Sequence, residues 1–129
     1  MAEMRRHIVD NILTLCCPRC GQAFIDFDGC CALSCPRCRC AFCAYCQEDC
    51  GTDSAAHNHV PRCPWNARRE VFSKKERFEE AQRERRIRSL IAFLGMLDVQ
   101  TRLAVLEMCR ADIEGVGIAL DDIANSSMA

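Results

Sequence analysis

The chain has 129 residues, and its 17 Lys and Arg against 18 Asp and Glu give a formal net charge of −1. That balance excludes a strong global field for nucleic acid, and the length allows one domain or two small ones. Twelve of the thirteen cysteines fall between Cys16 and Cys63, and no apolar run approaches the ~20 residues of a membrane-spanning helix.

Residues 3–13 place Met4, Ile8 and Ile12 at helical spacing with Val9 and Leu13 alongside, which predicts a short amphipathic helix covering the cysteine-rich part. Glu3, Arg5, Arg6 and Asp10 interrupt the apolar residues of this segment, so it holds no signal-peptide core. An odd cysteine count and Cys-x2-Cys pairs, which rarely close on themselves, argue against a secreted disulfide scaffold. A reducing compartment, cytoplasmic or nuclear, is expected. His7 is read as a surface histidine.

The cysteines then fall into pairs: Cys17-Pro-Arg-Cys20, Cys35-Pro-Arg-Cys38, Cys43-x2-Cys46 and, last, His59-x3-Cys63. A Cys-x2-Cys turn sets two thiolates on one side of a tight loop, and four such pairs suffice for two closed tetrahedral Zn²⁺ sites. The segment is too short to bury much core, and each structural zinc contributes about 10–16 kcal/mol, so folding is expected to depend on metal. Between the pairs, residues 21–29 read as a short strand entering a turn at Asp28-Gly29, and Ala41-Phe42 as a second strand of a zinc-ribbon-like hairpin. From Cys46 to Cys63 the polar composition predicts loop. Cys50 and His57 lie in it and are alternative ligands for the second site, whereas Cys16 and Cys40 are read as non-ligands.

Past Trp65, which is expected to pack on the second zinc loop, Ser73-Lys-Lys-Glu76 forms a capping box and opens a helix over about residues 74–94. Ile87, Leu90, Ile91 and Leu94 stripe its second half, while its first half is expected to stand in solvent. Asp98 caps a second helix carrying Val99, Leu103, Leu106, Cys109 and Ile113, ended by Gly115 and Gly117; residues 118–124 add a turn or two and 125–129 fray. The two stripes predict a helical hairpin core, or failing that a groove for a protein partner. Nine of the 17 Lys and Arg lie between Arg68 and Arg88, interleaved with Glu70, Glu76, Glu79, Glu80 and Glu84. That is a solvated, ion-paired helix sooner than a nucleic-acid stripe at Arg83, Arg85, Arg86 and Arg88. The expected division is 1–65 for the metal module with its leading helix and 66–129 for a helical extension.

Written in full, Cys17-x2-Cys20-x14-Cys35-x2-Cys38-x4-Cys43-x2-Cys46-x12-His59-x3-Cys63 resembles the zinc modules of the RING-between-RING-RING family of ubiquitin ligases, both the between-RING module and the second, catalytic RING. The Cys-x4-Cys-x2-Cys core, Phe42 before Cys43 and the closing His-x3-Cys carry the likeness over about residues 15–65. It implies a small α+β, zinc-stabilised module with two sequential sites. Cys17, Cys20, Cys35 and Cys38 hold the first zinc, and Cys43, Cys46, His59 and Cys63 the second. It also implies ubiquitin or a ubiquitin-conjugating enzyme as partner, and it singles out Cys30 after Gly29, at the place where the catalytic RING accepts ubiquitin as a thioester. The family's histidine two residues further on is Ala32 here. Without a base, Cys30 is expected to keep an ordinary thiol pKa near ~8.5 and to react slowly. The bland reading of Cys30 is a small apolar residue in a turn or a spare ligand beside Cys31, which leaves enzyme status open. No complete first RING is present, so the expectation is a ligase fragment or recruitment through a partner. A non-catalytic interaction module and a nucleic-acid-binding zinc protein are the alternatives.

Overall fold

Short apolar runs held between cysteine turns form the sheet. In the computed structural model, which describes residues 1–127, Leu15–Gln82 pack as one unit. β1 (Ala32–Ser34), β2 (Ala41–Cys43) and β3 (Asp49–Gly51) make an antiparallel sheet in the order β1-β2-β3. Its register pairs Ala32 with Cys43, Leu33 with Phe42 and Ser34 with Ala41. Strands of three residues have little stability of their own. The core beneath them is Leu33, Phe42, Tyr45, Ala56 and Val60, together with Cys17, Cys35, Cys43 and Cys63.

Residues 21–29 do not form the expected strand; their surroundings contribute a single bridge between Cys16 and Ala23. Gly21 (φ 80°) and Gly29 (φ 113°) turn the chain at both ends, in a region that glycine enters freely. The aromatic residues pack from an irregular loop instead, with Phe24 edge-on to Phe42 at 5.9 Å and Phe27 stacked on Phe78 at 3.9 Å. The expected loop after Cys46 also differs. It holds β3 and α2 (Asp53–His59), whose first turn is capped by Thr52 Oγ1 accepting from the Ala55 N–H at 3.1 Å. A 3₁₀ turn, Val60–Arg62, follows.

The other unit joins residues 1–14 to the chain from Arg83 on, a division that differs from the expected 65/66 boundary. α1 (Ala2–His7) widens into a π-helical turn, Ile8–Leu13. Ile8, Ile12 and Leu13 are buried with Leu90 and Leu94 of α3 (Lys75–Leu94), with Val105, Cys109 and Ile113 of α4 (Val99–Gly115), and with Ile123 of α5 (Leu120–Ser127). The leading helix thus belongs to the packing of the C-terminal helices, of which there are three. Asp98 caps α4 as expected, accepting from the Thr101 N–H at 2.9 Å. The buried stripe of α4 is Val105, Cys109 and Ile113, and Val99 and Leu103 are exposed. Part of the expected fraying at 125–129 lies outside the described residues, and α5 runs to Ser127.

The expected solvated first half of α3 is corrected at two polar residues. Gln82 is buried and donates to the Ala44 carbonyl at 2.8 Å. Arg85, only 2% exposed, donates to the Ile12 carbonyl at 3.1 Å, and Arg86 to that of Leu13 at 2.7 Å, satisfying acceptors at the end of the π-helical turn. Arg83 pairs with Asp122 at 2.8 Å. Arg83, Arg85 and Arg86 of the basic run therefore serve the fold. No helix among the described residues is long and apolar enough to cross a membrane.

Candidate metal centres and nucleophile

Three turns of one design present the thiols. In each, the residue after the second cysteine donates its N–H to the carbonyl of the first: Gly21 to Cys17 at 2.9 Å, Arg39 to Cys35 at 2.9 Å and Gln47 to Cys43 at 2.8 Å. In each, that residue has positive φ, 80° for Gly21, 63° for Arg39 and 61° for Gln47. The left-handed residue folds the carbonyl back and leaves both sulfurs on one side. Only the first turn advertises this with a glycine.

The structure brings together Cys17, Cys20, Cys35 and Cys38, and separately Cys43, Cys46, His59 and Cys63, with the donor atoms of each group within 4.8 Å of one another. Within them, Cys17 and Cys38 sulfurs are 3.5 Å apart, Cys20 and Cys35 sulfurs 3.6 Å, and Cys46 Sγ and His59 Nε2 3.3 Å. Ligands ~2.3 Å from a tetrahedral zinc stand about 3.8 Å from each other, so both groups fit a closed four-coordinate ion. All thirteen cysteines are free thiols. The two groups are consecutive along the chain. Of the alternative ligands, Cys50 faces the Glu48 carbonyl at 3.5 Å and His57 faces Cys30.

The proton chemistry of each cluster also calls for a cation. Hydrogen bonding to the Cys43 thiol draws Cys46 down to about 5, and the same contact pushes Cys43 up. Burial opposes ionisation of Cys35, but the N–H groups of Cys38 and Arg37 and the adjacent thiols outweigh it and bring Cys35 to about 6. Cys17 is also drawn down, against its burial, by the N–H groups of Cys20 and Arg19, while Cys38 is pushed up, so within each group some thiols ionise at the expense of others. A bound dication removes that penalty and lets all of them ionise. His59 carries a further mark of a ligand: its Nδ1 lies 3.2 Å from Glu48 Oε2, which aims Nε2 into the cluster. Cys16 and Cys40 lie outside both groups. Cys40 is buried with its sulfur 3.5 Å from the Ala41 carbonyl.

Cys30 is half-buried and belongs to neither cluster. Its backbone is held on both sides, through the Cys31 N–H to Val71 O at 2.7 Å and the Ser73 N–H to Gly29 O at 2.9 Å. Its N–H donates to Asp28 Oδ1 at 3.2 Å. The sulfur lies 3.6 Å from His57 Nε2 and 3.4 Å from the Ala32 carbonyl. His57 Nδ1 lies 2.9 Å from the Asp53 carbonyl oxygen and 3.4 Å from Asp53 Oδ1. A carbonyl can only accept, so Nδ1 carries the hydrogen, which leaves Nε2 as the nitrogen whose lone pair can face the thiol. This is a Cys–His–Asp order of side chains. Position 32, where a base was missed in the sequence, is a buried residue of β1 paired with Cys43.

The sequence reading had His57 only as an alternative ligand of the second site and missed its place beside Cys30. The one available signal was Thr52-Asp53, a helix start that sets Asp53 and His57 one turn apart. Burial, and then the charges of Asp28, Cys31 and Asp53, push the Cys30 thiol up, although a backbone hydrogen bond at Ala32 works the other way. Cys31 beside it is buried against Ser73 Oγ at 3.2 Å and has no path to a reactant. Comparison of the chain with known families, curated proteins and solved structures finds no match.

Proposed function

We propose that the two clusters hold zinc, and that the scaffold they build displays Cys30 as an acceptor of ubiquitin in a ubiquitin-ligase system. The observation that carries this reading is the 3.6 Å approach of His57 Nε2 to a half-buried, metal-free Cys30 sulfur, with Asp53 on the far side of the ring. Zinc is structural in this scheme, since each four-donor set leaves no position for a substrate. His57 takes the thiol proton as the sulfur attacks the thioester carbonyl of a charged conjugating enzyme. A carbon–sulfur bond forms to Cys30, the donor's carbon–sulfur bond breaks, and the departing thiolate takes up the proton. Asp53 holds the ring in the tautomer that makes this possible.

Incubating the zinc-loaded protein with a panel of charged conjugating enzymes tests the reading. The expected product is a thiol-sensitive adduct that Cys30→Ala abolishes and His57→Ala slows by about 10²–10⁴-fold. Transfer that survives Cys30→Ala removes Cys30 from the function. Absence of transfer with every enzyme favours the non-catalytic interaction module. That second reading has its own support in Ile25 and Phe72, which stand 87% and 67% exposed as protein-contact surface.

A further inference from the structure

After the last ligand of the second cluster, the chain wraps around one side chain. Asn66 is 3% exposed, and its Nδ2 donates to the Val60 carbonyl at 2.8 Å and to the Glu70 carbonyl at 2.9 Å. Both hydrogens of the amide are thereby engaged, so Asn66 can offer a ligand only an acceptor. That acceptor, Oδ1, is the one buried side-chain nitrogen or oxygen without a hydrogen-bond partner among the described residues. A buried carbonyl is costly to leave unpaired, and it marks the point where an incoming N–H gains most. Asn66 lines a pocket of about 300 Å³ together with Arg62, Arg69, Pro61 and Pro64.

The pocket is positive. Arg62 and Arg69 are exposed, and their side chains make no ion pair or hydrogen bond among the described residues. No Asp or Glu is among the lining residues. The two prolines bring no N–H, so the arginines are the charged donors of the wall. Arg69 also stands at φ 56°, in the left-handed region that a non-glycine residue enters at a cost, and its N–H closes the turn on the Asn66 carbonyl at 3.2 Å.

We propose that this pocket binds the free C-terminus of a protein chain, with the carboxylate on Arg62 and Arg69 and the amide N–H of the same terminal residue on Asn66 Oδ1. A C-terminal residue carries an anion and an N–H on one Cα, which answers both unmet needs of the wall at once. A simple anion would satisfy the arginines alone, and an internal peptide bond the asparagine alone. The volume lies at the lower limit of small-ligand sites, ~300 Å³, which admits the last residue or two of a chain and excludes a helix about 10–12 Å across. The inference goes beyond the acyl chemistry and is independent of it, since neither Cys30 nor His57 lines the pocket.

The test titrates the full zinc-loaded chain with N-acetylglycine, the smallest probe that holds both groups, and follows the side-chain signals of Asn66, Arg62 and Arg69 by two-dimensional NMR. Saturable shifts at these residues are expected, at millimolar concentration for so small a molecule. N-acetylglycinamide, which lacks the charge, and acetoxyacetate, which keeps the charge but lacks the N–H, should each bind about tenfold more weakly. Arg62→Gln should weaken N-acetylglycine about fivefold at unchanged zinc content, and so should Arg69→Asn, which keeps a residue tolerant of the left-handed backbone. Equal binding of N-acetylglycine and either analogue overturns the proposal, as does the absence of any shift at Asn66. Tighter binding of N-acetylphosphoserine amide than of N-acetylglycine overturns the chain end in favour of a phosphorylated side chain. None of these results touches Cys30, whose role the thioester assay decides separately.

Discussion

Replacing His57 by alanine should leave both metal clusters in place and slow the alkylation of Cys30. At 3.6 Å, an imidazolium–thiolate pair is worth about 1 kcal/mol in bulk water and about 5 kcal/mol at an effective dielectric constant of ~20. Both partners are half-buried, so solvent screening keeps the value in the lower part of that range. About 1–3 kcal/mol corresponds to a reactive population smaller by roughly 5- to 160-fold at neutral pH. The assay is the rate of carbamidomethylation of Cys30 by iodoacetamide, read by mass spectrometry of its peptide in the zinc-loaded protein. Cys30→Ala sets the background from Cys50, and metal analysis shows that the clusters survive. His57→Asn separates polarity from basicity, since it keeps a hydrogen-bonding group but cannot carry the proton. Alkylation at the wild-type rate in His57→Ala, with metal content unchanged, would refute the claim that the 3.6 Å contact governs the thiol.

Cys35→Ser should lose metal from the first cluster and unfold the segment around it, whereas Cys40→Ser, outside either donor set, should keep full metal content; elemental analysis with circular dichroism separates the two. Glu48→Gln should weaken the second site about 10–100-fold by loosening the orientation of His59, measured by competition with a chromophoric chelator. Equal affinity would show that the 3.2 Å contact does not orient the ligand. Gly21→Ala should cost about 1–2 kcal/mol in denaturant titration of the metal-loaded protein. An added Cβ there meets nothing within 4 Å, so the whole effect comes from its φ of 80° and a neutral result would contradict the turn geometry.

The donor sets were legible because Cys-x2-Cys is a local rule, with spacing and geometry confined to one turn. The β2 segment and the Asp98 cap were legible for the same reason. What escaped the sequence lay between distant residues. Cys30 and His57 are 27 positions apart, and their approach depends on α2, a helix hidden in a stretch whose Thr, Asp, Ser and His read as loop. Periodicity also fails for Gln82 and Arg85, because it sends polar side chains to solvent whereas these are buried on carbonyls of Ala44 and Ile12. The aromatic run at Phe24 and Phe27 carried strand composition without strand geometry, since ring packing held it and no ladder was required.

α2 has only seven residues, too few to persist alone in water, and it serves two masters. His59 on one side belongs to the second cluster and His57, about 200° around the same helix, to Cys30. The candidate metal cluster and the candidate nucleophile are thereby geared to a single shaft. Adding one residue between the two histidines turns one of them by about 100° and breaks the gearing even with every ligand and the nucleophile retained. On the proposed reading, a chain that has not taken up its second metal would lack a fixed partner for Cys30, and a half-assembled protein would stay chemically silent until its architecture is complete.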